Sequence, residues 1–286
     1  MKRKTLIKSA VALLFLVCLI CEVLFSEHYL NISELNIKTD KTTASFKAVV
    51  VSDLHNREYG KHNKKLLRMI YEQEPDVIFA LGDMVNKDEK SRDVAIDFYN
   101  ELVKIANVYA CLGNHERDYC DLAGLKRDME KAGVRLLDNE METVDFTSGS
   151  ITVGALAYFP YYEFNAPDYD NPARWFLDSY IKQQKDSFSF LLIHEPEMFT
   201  WGLEDKDIEL ALCAHTHGGI IRLPFIGGLM APNQGIMAGH GELLPKYTKG
   251  YYDTGKANIY ITGGLGGNSL LKRFYNPVEF TVINVN

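Results

Sequence analysis

Cysteine is scarce in this sequence, and its placement argues against a disulfide framework. Only five cysteines occur in 286 residues. Cys18 and Cys21 lie in an apolar segment, Cys111 and Cys213 lie inside strand-like runs, and Cys120 is placed like a loop thiol. No pair with zinc-finger spacing occurs outside the apolar segment, so we expect small buried thiols rather than a cysteine metal site.

Basic residues are also few in most of the chain. Four of the 31 Lys and Arg residues precede the first apolar run, which leaves 27 against 38 acidic residues and a net charge of −11. Such a surface repels a phosphate backbone. A broad groove for long nucleic acids is therefore not expected, whereas small nucleotides are not excluded.

Long apolar runs are missing, with one exception at residues 9–25. This run follows a basic start at residues 1–8 and has about the minimum length for crossing roughly 30 Å of hydrocarbon. We interpret it as a transmembrane signal anchor, because no small-residue cleavage pattern follows it; the alternative is secretion after signal cleavage. The basic start predicts a single-pass protein of the cell membrane, with a cytoplasmic amino terminus and the rest of the chain outside the cytoplasm.

No internal repeat or second domain boundary is evident beyond this run. A connector is expected over residues 26–45, followed by one globular domain over residues 46–286. Strand and amphipathic helix patterns alternate at the start of this domain, over residues 46–51, 63–73, 77–81, 91–105 and 108–112. Such alternation predicts a parallel sheet with the carboxyl ends of its strands along one edge.

The second half of the domain is richer in strand patterns. A helix over residues 122–132 is followed by strand patterns at residues 134–137, 143–146, 151–157, 188–193, 208–214, 258–262 and 278–285. An aromatic stretch at 158–176 leads into a short helix ending near Lys185, and an apolar loop spans 223–232. These two segments either pack against the domain or form a lid and a loop that contact the bilayer.

Polar side chains follow five of the predicted strands at the point where each strand ends. They are Asp53 and His55, Asp83, Asn114 and His115, His194, and His215 and His217. A lone Asp or His at a strand end is usually a cap or a surface group. Five of the eight histidines fall at these ends, however, and Asp, Asn and neutral His together suit Mn, Fe or Zn. The sequence therefore predicts a metal site, and His28, His62 and His240 are interpreted as surface residues.

The order of these motifs resembles that of a known family. The motifs are Asp-x-His at Asp53, Gly-Asp-x-x-Asn at Asp83, Gly-Asn-His-Glu at Asn114, a single His at His194 and His-x-His-Gly-Gly at His215. The series resembles the calcineurin-like metallophosphoesterases. Residues 52–56, 215–219, 222–224 and 263–266 are most similar to the exported or membrane-anchored bacterial YaeI/YkuE-like branch, which includes UDP-diacylglucosamine pyrophosphatases. The resemblance implies a four-layer α/β/β/α sandwich over residues 46–286.

The same resemblance implies a role for each motif residue. It makes Asp53, His55, Asp83 and His217 the ligands of one divalent ion, and Asp83, Asn114, His194 and His215 the ligands of a second, with Asp83 bridging. Two ions about 3.5 to 4 Å apart clamp the attacking and leaving oxygens of a phosphoester, and acidify a bridging water to hydroxide. His115 is then the residue that donates a proton to the leaving oxygen.

Asn86 departs from the family pattern, which often has Asp at this position. The resemblance places residue 86 beside His115, where Asn orients the imidazole without adding charge. We therefore expect His115 to be a weaker acid and base here. Such a site favours good leaving groups, as in pyrophosphates or activated diesters.

The expected function is metal-dependent hydrolysis of a phosphoester or pyrophosphate bond, with a lipid-linked or cell-envelope compound as substrate. Two alternatives stay open. One is a nucleotide phosphodiesterase or nuclease that uses the same site. The other is a scaffold that binds metal but has lost catalysis. The sequence predicts neither the metal identity nor the oligomeric state.

Overall fold

Two six-stranded sheets form the body of the protein in a computed structural model, which describes residues 2–158, 171–184, 187–232, 234–235, 243–267 and 271–286. The helices are α1 (Lys2–His28), α2 (Lys64–Tyr71), α3 (Asp93–Leu102), α4 (Asn114–Arg117), α5 (Leu122–Lys131), α6 (Pro172–Gln183) and α7 (Glu197–Thr200). The strands are β1 (Asn31–Ile37), β2 (Phe46–Val51), β3 (Val77–Ala80), β4 (Asn107–Ala110), β5 (Arg135–Leu136), β6 (Glu140–Phe146), β7 (Gly149–Ala155), β8 (Ser189–Leu192), β9 (Ile208–Cys213), β10 (Arg222–Leu223), β11 (Gly227–Gly228), β12 (Met230–Ala231), β13 (Gln234–Gly235), β14 (Gly250–Asp253), β15 (Ala257–Ile261) and β16 (Glu279–Val285).

The first sheet has the strand order β1-β16-β2-β3-β4-β5. Strands β2 to β5 run parallel, because helices α2, α3 and α5 return the chain between them. Strand β2 is buried on both faces, as its near-continuous apolar sequence requires. The carboxyl ends of β2, β3 and β4 meet at one edge, and the loops that leave this edge carry Asp53, Asp83 and Asn114.

The second sheet has the strand order β14-β15-β9-β8-β7-β6. Strands β7, β8, β9 and β15 are parallel, so their carboxyl ends also share an edge. The chain leaves β8 and β9 at this edge, and His194 and His215 follow within two residues. The two sheets therefore present their polar strand ends on the same side of the molecule.

Three apolar cores separate four layers. Helices α2, α3 and α5 cover the outer face of the first sheet through residues such as Leu66 and Phe98. The inner faces of the two sheets pack together through Phe79 and Phe190. Helices α6 and α7 cover the second sheet, with Tyr180 fully buried in that layer. This arrangement confirms the four-layer sandwich and the helices and strands predicted in its first half.

Helix α1 contains the run predicted to cross a membrane. Its candidate span, Lys4–His28, is almost entirely exposed, and no other helix in the described part of the chain is long and apolar enough to span a bilayer. At about 1.5 Å per residue, its 25 residues extend about 37 Å. This length and composition fit an anchor or a signal sequence.

The strand that directly follows α1 belongs to the first sheet. Strand β1 lies within the predicted connector and pairs in parallel with β16 over seven residues. The division of the chain at residue 46 stays a prediction. Of the aromatic stretch, residues 159–170 lie outside the described residues, while Trp175 and Phe176 belong to α6, which confirms the short helix predicted there.

Candidate metal centre

Five of the seven predicted metal ligands lie on turns with unusual backbone conformation. Asp53, His55, Asp83, His215 and His217 all have positive φ angles, between 48° and 68°. Residues other than glycine rarely adopt this region, and they cluster there at functional sites. Backbone hydrogen bonds between neighbouring turns hold the conformation: the Asp53 N–H donates to the Gly82 carbonyl at 2.9 Å, and the His55 N–H donates to the Asp83 carbonyl at 3.0 Å.

Two glycines allow these turns to approach each other. A Cβ on Gly82 would collide with the backbone of Gly113, and a Cβ on Gly113 would collide with the Asp83 carboxylate. Gly82 also has a φ of 82°, which disfavours other residues. The glycines in the Gly-Asp and Gly-Asn motifs are therefore needed for close packing around Asp83.

Glu116 holds the Asp83 turn through hydrogen bonds to its backbone, a role that was not predicted from the sequence. Its buried carboxylate accepts the N–H groups of Asp83 at 2.7 Å, Met84 at 2.7 Å and Gly113 at 2.9 Å. Burial, and then the charge of Asp83, raise the pKa of Glu116 to about 7, while the backbone donors favour its ionised form. The sequence feature that could have indicated this role is the position of Glu116 at the end of the Gly-Asn-His-Glu motif.

The structure brings the predicted ligands into two adjacent groups. The ligand atoms of Asp53, His55 and His217 lie within 4.8 Å of one another, and so do those of Asp83, His194 and His215. A third overlapping group of the same width contains His55, Asp83 and His115. Asp83 is thus placed between the two groups, where a bridging carboxylate would have to lie.

The donor atoms of these residues are buried and lack hydrogen-bond partners. The atoms are Asp53 Oδ1, His55 Nε2, Asn114 Oδ1, His194 Nε2, His215 Nε2 and His217 Nδ1. Buried polar atoms are normally satisfied, so six such atoms around one centre need an explanation. Divalent metal ions provide it, because this set of carboxylate, amide and imidazole donors suits Mn, Fe or Zn.

Two of the histidines are held in the tautomer that a metal requires. The Nδ1 of His194 donates to the Leu81 carbonyl at 2.5 Å, and the Nδ1 of His55 donates to Asn86 Oδ1 at 3.1 Å. An oxygen that only accepts assigns the proton to Nδ1, which leaves Nε2 with its lone pair. Ligating histidines are typically oriented in this way.

Burial favours the neutral form of three of the four predicted imidazole ligands; at His194 burial acts in the same direction, but the Asp83 carboxylate raises the pKa of His194 well above its ordinary value. Burial lowers the pKa of His55 to about 4 and the pKa of His215 to about 4. Burial, and then the neighbouring His55, hold the pKa of His217 well below its ordinary value. Since metals bind neutral imidazole, these sites are prepared to accept a cation near neutral pH.

Asn86 does not support His115, in contrast to the prediction. Its side chain contacts His55, since Oδ1 accepts from His55 Nδ1 and Nδ2 donates to the His55 carbonyl at 2.9 Å. The partner of His115 is the backbone: the Lys87 N–H donates to His115 Nδ1 at 3.2 Å. This bond assigns the His115 proton to Nε2. Asn86 lies 31 residues after His55 and 29 residues before His115 in the chain, and the fold brings its amide to the His55 turn.

A glycine-rich loop supports Asp53 from the other side. The Gly266 N–H donates to the Asp53 carbonyl at 2.5 Å, and a Cβ on Gly264 would collide with the Asp53 carboxylate. Arg273 is fully buried and donates to the carbonyls of Gly263 at 2.6 Å and Gly266 at 2.9 Å. The glycines were visible in the sequence, whereas Arg273, 220 residues after Asp53, carries no local signal that links it to this site.

The metal groups open into a cleft of about 850 Å³ that the end of α1 helps to form. Val23, Leu24, Glu27 and His28 line it, opposite the metal ligands and His115. His28 is exposed, as predicted, but lies at the rim, where the Arg57 guanidinium is 3.3 Å from its Nδ1. His62 is exposed on the surface, and His240 lies outside the described residues.

Comparisons with known proteins agree with this geometry. The family model for calcineurin-like phosphoesterases matches residues 46–219. The chain is 29% identical over 266 residues to the "Uncharacterized metallophosphoesterase YkuE" of Bacillus subtilis, covering 90% of this chain and 86% of that protein. It is 25% identical over 240 residues to "Phosphodiesterase YaeI" of Escherichia coli, covering 78% of this chain and 76% of that protein.

Among solved structures, a dimetal phosphatase from Danio rerio is 12% identical, with a TM-score of 0.42, covering 77% of this chain and 87% of that one.

The two bacterial relatives confirm the resemblance to the YaeI/YkuE-like branch. The matched family model spans the turns of Asp53, Asp83, Asn114, His194 and His215, which are the turns that converge on the metal centre. The chain belongs to the calcineurin-like phosphoesterase family, and it is a metal-dependent phosphoester hydrolase.

Proposed function

We propose that the protein hydrolyses a phosphodiester or pyrophosphate bond with two divalent metal ions. The observation that carries this proposal is the set of six buried donor atoms around Asp83 that make no hydrogen bond, among which His194 Nε2 lies 3.1 Å from Asp83 Oδ2. Asp53, His55, Asp83 and His217 would hold one ion, and Asp83, Asn114, His194 and His215 the other. The name of the YaeI relative supports a diester as the bond that is cleaved.

The metal ions supply Lewis acidity and lower the pKa of bound water. The chain's own residues position the remaining groups. Asp83 is held by the His115 N–H, which donates to its Oδ1 at 2.8 Å, and by the backbone bonds to Glu116. His115 lines the cleft and accepts the Lys87 N–H at Nδ1, which supports a role for its Nε2 proton in protonating a leaving oxygen.

The apolar wall of the cleft supports a lipid-linked substrate. Val23 and Leu24 belong to the apolar run of α1 and line the same cleft as His55 and His115. A substrate with an apolar tail can keep that tail beside α1 while its phosphate reaches the metal ligands. The N-terminal helix would keep the enzyme in the membrane, with the cleft on the side outside the cytoplasm.

Metal counting and hydrolysis assays on the full chain in detergent test the reaction class. We expect two bound ions per chain and Mn-stimulated hydrolysis of bis(p-nitrophenyl) phosphate, with slower hydrolysis of p-nitrophenyl phosphate. The exposed Asp97→Asn variant is a matched control that should behave like the wild type. A chain that binds no metal and shows no turnover would support the scaffold alternative instead.

A pair of substrates tests the lipid-linked proposal. Leu24→Ser should reduce turnover of a lipid-linked pyrophosphate more than turnover of a water-soluble diester, because Leu24 lines the cleft. Leu16→Ser is the control, since Leu16 lies on the same helix and is similarly exposed but does not line the cleft. Equal loss on both substrates would contradict the lipid-linked substrate and leave the hydrolytic reaction intact.

The orientation in the membrane can be read with Cys120, which is exposed in the globular part of the chain. A membrane-impermeant maleimide should label Cys120 in intact cells. Cys120→Ser is the control for labelling elsewhere, including Cys18 and Cys21 in α1. Labelling of Cys120 only after cell lysis would place the domain in the cytoplasm.

A further inference from the structure

One short segment, residues 274–276, joins α1, the metal centre and an apolar hairpin. The Tyr275 N–H donates to Glu22 Oε1 at 3.1 Å, and the Asn276 N–H donates to Ser26 Oγ at 3.1 Å, so the segment is bonded to two successive turns of α1. The Asn276 side chain donates to the carbonyl of His217 at 2.7 Å. Movement of α1 relative to the metal ligand His217 is therefore restricted by direct hydrogen bonds.

The base of the hairpin formed by β10 and β11 is hydrogen bonded to the same segment. The Arg222 N–H donates to the Phe274 carbonyl at 2.9 Å, and Asn276 Nδ2 also donates to the Ile220 carbonyl at 3.2 Å. Gly219 and Gly228 pack so closely that a Cβ on either would collide with the other's backbone. The base of the hairpin is thus fixed against the turn that carries His217.

The depth of residues 274–276 relative to the bilayer follows from their contact with Glu22 on α1. Glu22 lies three residues before Phe25, the last residue of the apolar run, so the Tyr275 backbone is level with the final turn of that run. A carboxylate is costly in hydrocarbon unless polar groups reach it. Leu24 and Phe25, at the same level, are about half exposed. The boundary between hydrocarbon and headgroups is therefore expected at residues 274–276.

Apolar side chains project from the protein beside this boundary. At the hairpin tip, residues 224–226, Phe225 is fully exposed and Ile226 is 55% exposed, and Tyr275 in the joining segment is 56% exposed. Large apolar groups at a water surface gain free energy when they enter the boundary of a bilayer, and aromatic rings prefer that depth. Tyr275 is bonded to α1, and the base of the hairpin is bonded to the same segment, so the bilayer that α1 crosses is the partner that fits these side chains.

We propose that the tip at residues 224–226 and Tyr275 insert into the headgroup region of the bilayer that α1 crosses. This docking would press the mouth of the cleft, which α1 itself lines, against the membrane surface. The inference rests on α1 being retained as an anchor, but it does not depend on the proposed reaction. It assigns to the apolar hairpin a position that packing within the domain does not explain.

Tryptophan fluorescence in proteoliposomes tests this docking. Phe225→Trp is placed in the full chain and reconstituted in phosphatidylcholine vesicles whose acyl chains carry bromine near the headgroup, a short-range quencher. The control is Tyr71→Trp, which is also an exposed aromatic position, at the end of α2 on the sheet edge opposite the metal centre. The parent chain, with Trp175 and Trp201, provides the background.

We expect bromine to quench most of the emission added by Phe225→Trp and little of that added by Tyr71→Trp. Bromine placed near the ends of the acyl chains should quench Phe225→Trp less, because the tip lies at headgroup depth. Equal quenching of the two variants overturns the proposal. So does a blue-shifted Phe225→Trp emission that is insensitive to bromine, since that result indicates a covering protein surface such as a second copy of the chain. Loss of hydrolysis in any variant leaves this readout unaffected.

Discussion

The two sheets contribute unlike halves of the metal centre. The first sheet provides the carboxylates and the amide, Asp53, Asp83 and Asn114, on turns that are hydrogen bonded to one another and to Glu116. The second sheet provides only imidazoles among the predicted ligands, beginning with His194. Each half is built on neighbouring parallel strands, and the two halves come together only when the two sheets pack against each other.

The bond from His194 to the Leu81 carbonyl shows this dependence. It joins the end of β8 to the end of β3, so it crosses from one sheet to the other. Each proposed ion likewise takes ligands from both sheets. Metal binding is therefore expected to stabilise the packing between the sheets, and variants of the two halves should differ in what they remove.

The largest effect is expected from the residue shared by both ions. Asp83→Asn should reduce hydrolysis about a thousandfold or more, since several kcal/mol of transition-state stabilisation depend on the metals. It should also empty both sites in a metal count. His215→Asn, in the second half, should remove one ion and retain the other. Retention of two ions by Asp83→Asn would refute the bridging role.

A smaller effect is expected from the residue that supports the first half. Glu116→Gln keeps the shape of the side chain but weakens acceptance of the N–H groups of Asp83, Met84 and Gly113. Residues that orient metal ligands typically contribute about 10- to 100-fold in metal affinity or activity. Titration of Mn against activity measures the loss. The exposed Glu130→Gln is the control, and a Glu116 variant with wild-type Mn affinity would contradict the role.

Substitution of Asn86 should have a smaller effect still, which we expect on the metal ion that His55 binds. Asn86→Ala removes the acceptor that holds Nδ1 of His55. We expect about a tenfold loss in affinity for one of the two ions, at the low end for such supporting groups. Stepwise metal binding measured by calorimetry separates the two ions. An unchanged metal affinity combined with an altered dependence on the leaving group would instead indicate contact with His115.

The smallest effect is expected on thermal stability. Metal at about a hundred times its Kd adds about 2.7 kcal/mol to the free energy of unfolding, which for a domain of this size raises the Tm by about 5 to 10 °C. Chelation should remove this increment from the wild type and have no effect on Asp83→Asn. Differential scanning calorimetry on the full chain in detergent makes the comparison. A chelation-sensitive Tm in the Asp83 variant would show that an ion binds without the bridge.

Sequence patterns predicted strands β2 to β5 and β16 of the first sheet and the side chains that follow β2, β3 and β4, because buried parallel strands are continuous apolar runs and their carboxyl ends share an edge. Strand β1 was instead predicted as part of a connector. The partner of Asn86 was predicted wrongly. Asn86 is about equally far from His55 and His115 along the chain, and only the tertiary fold decides which imidazole its amide reaches. Glu116 was visible in its motif, but its four backbone donors come from two different turns.

The sequence by itself determined which chemistry is present: carboxylate, amide and imidazole donors at strand ends, and one apolar run near the amino terminus. Local polarity and periodicity are sufficient for these conclusions, because they depend on residues close together in the chain. Only the tertiary structure decided that Arg273 supports the loop beside Asp53, and that α1 lines the cleft through contacts such as Ser26 with Asn276, 250 residues away. Such contacts depend on how the sheets and helices pack, and no local pattern in the chain records them.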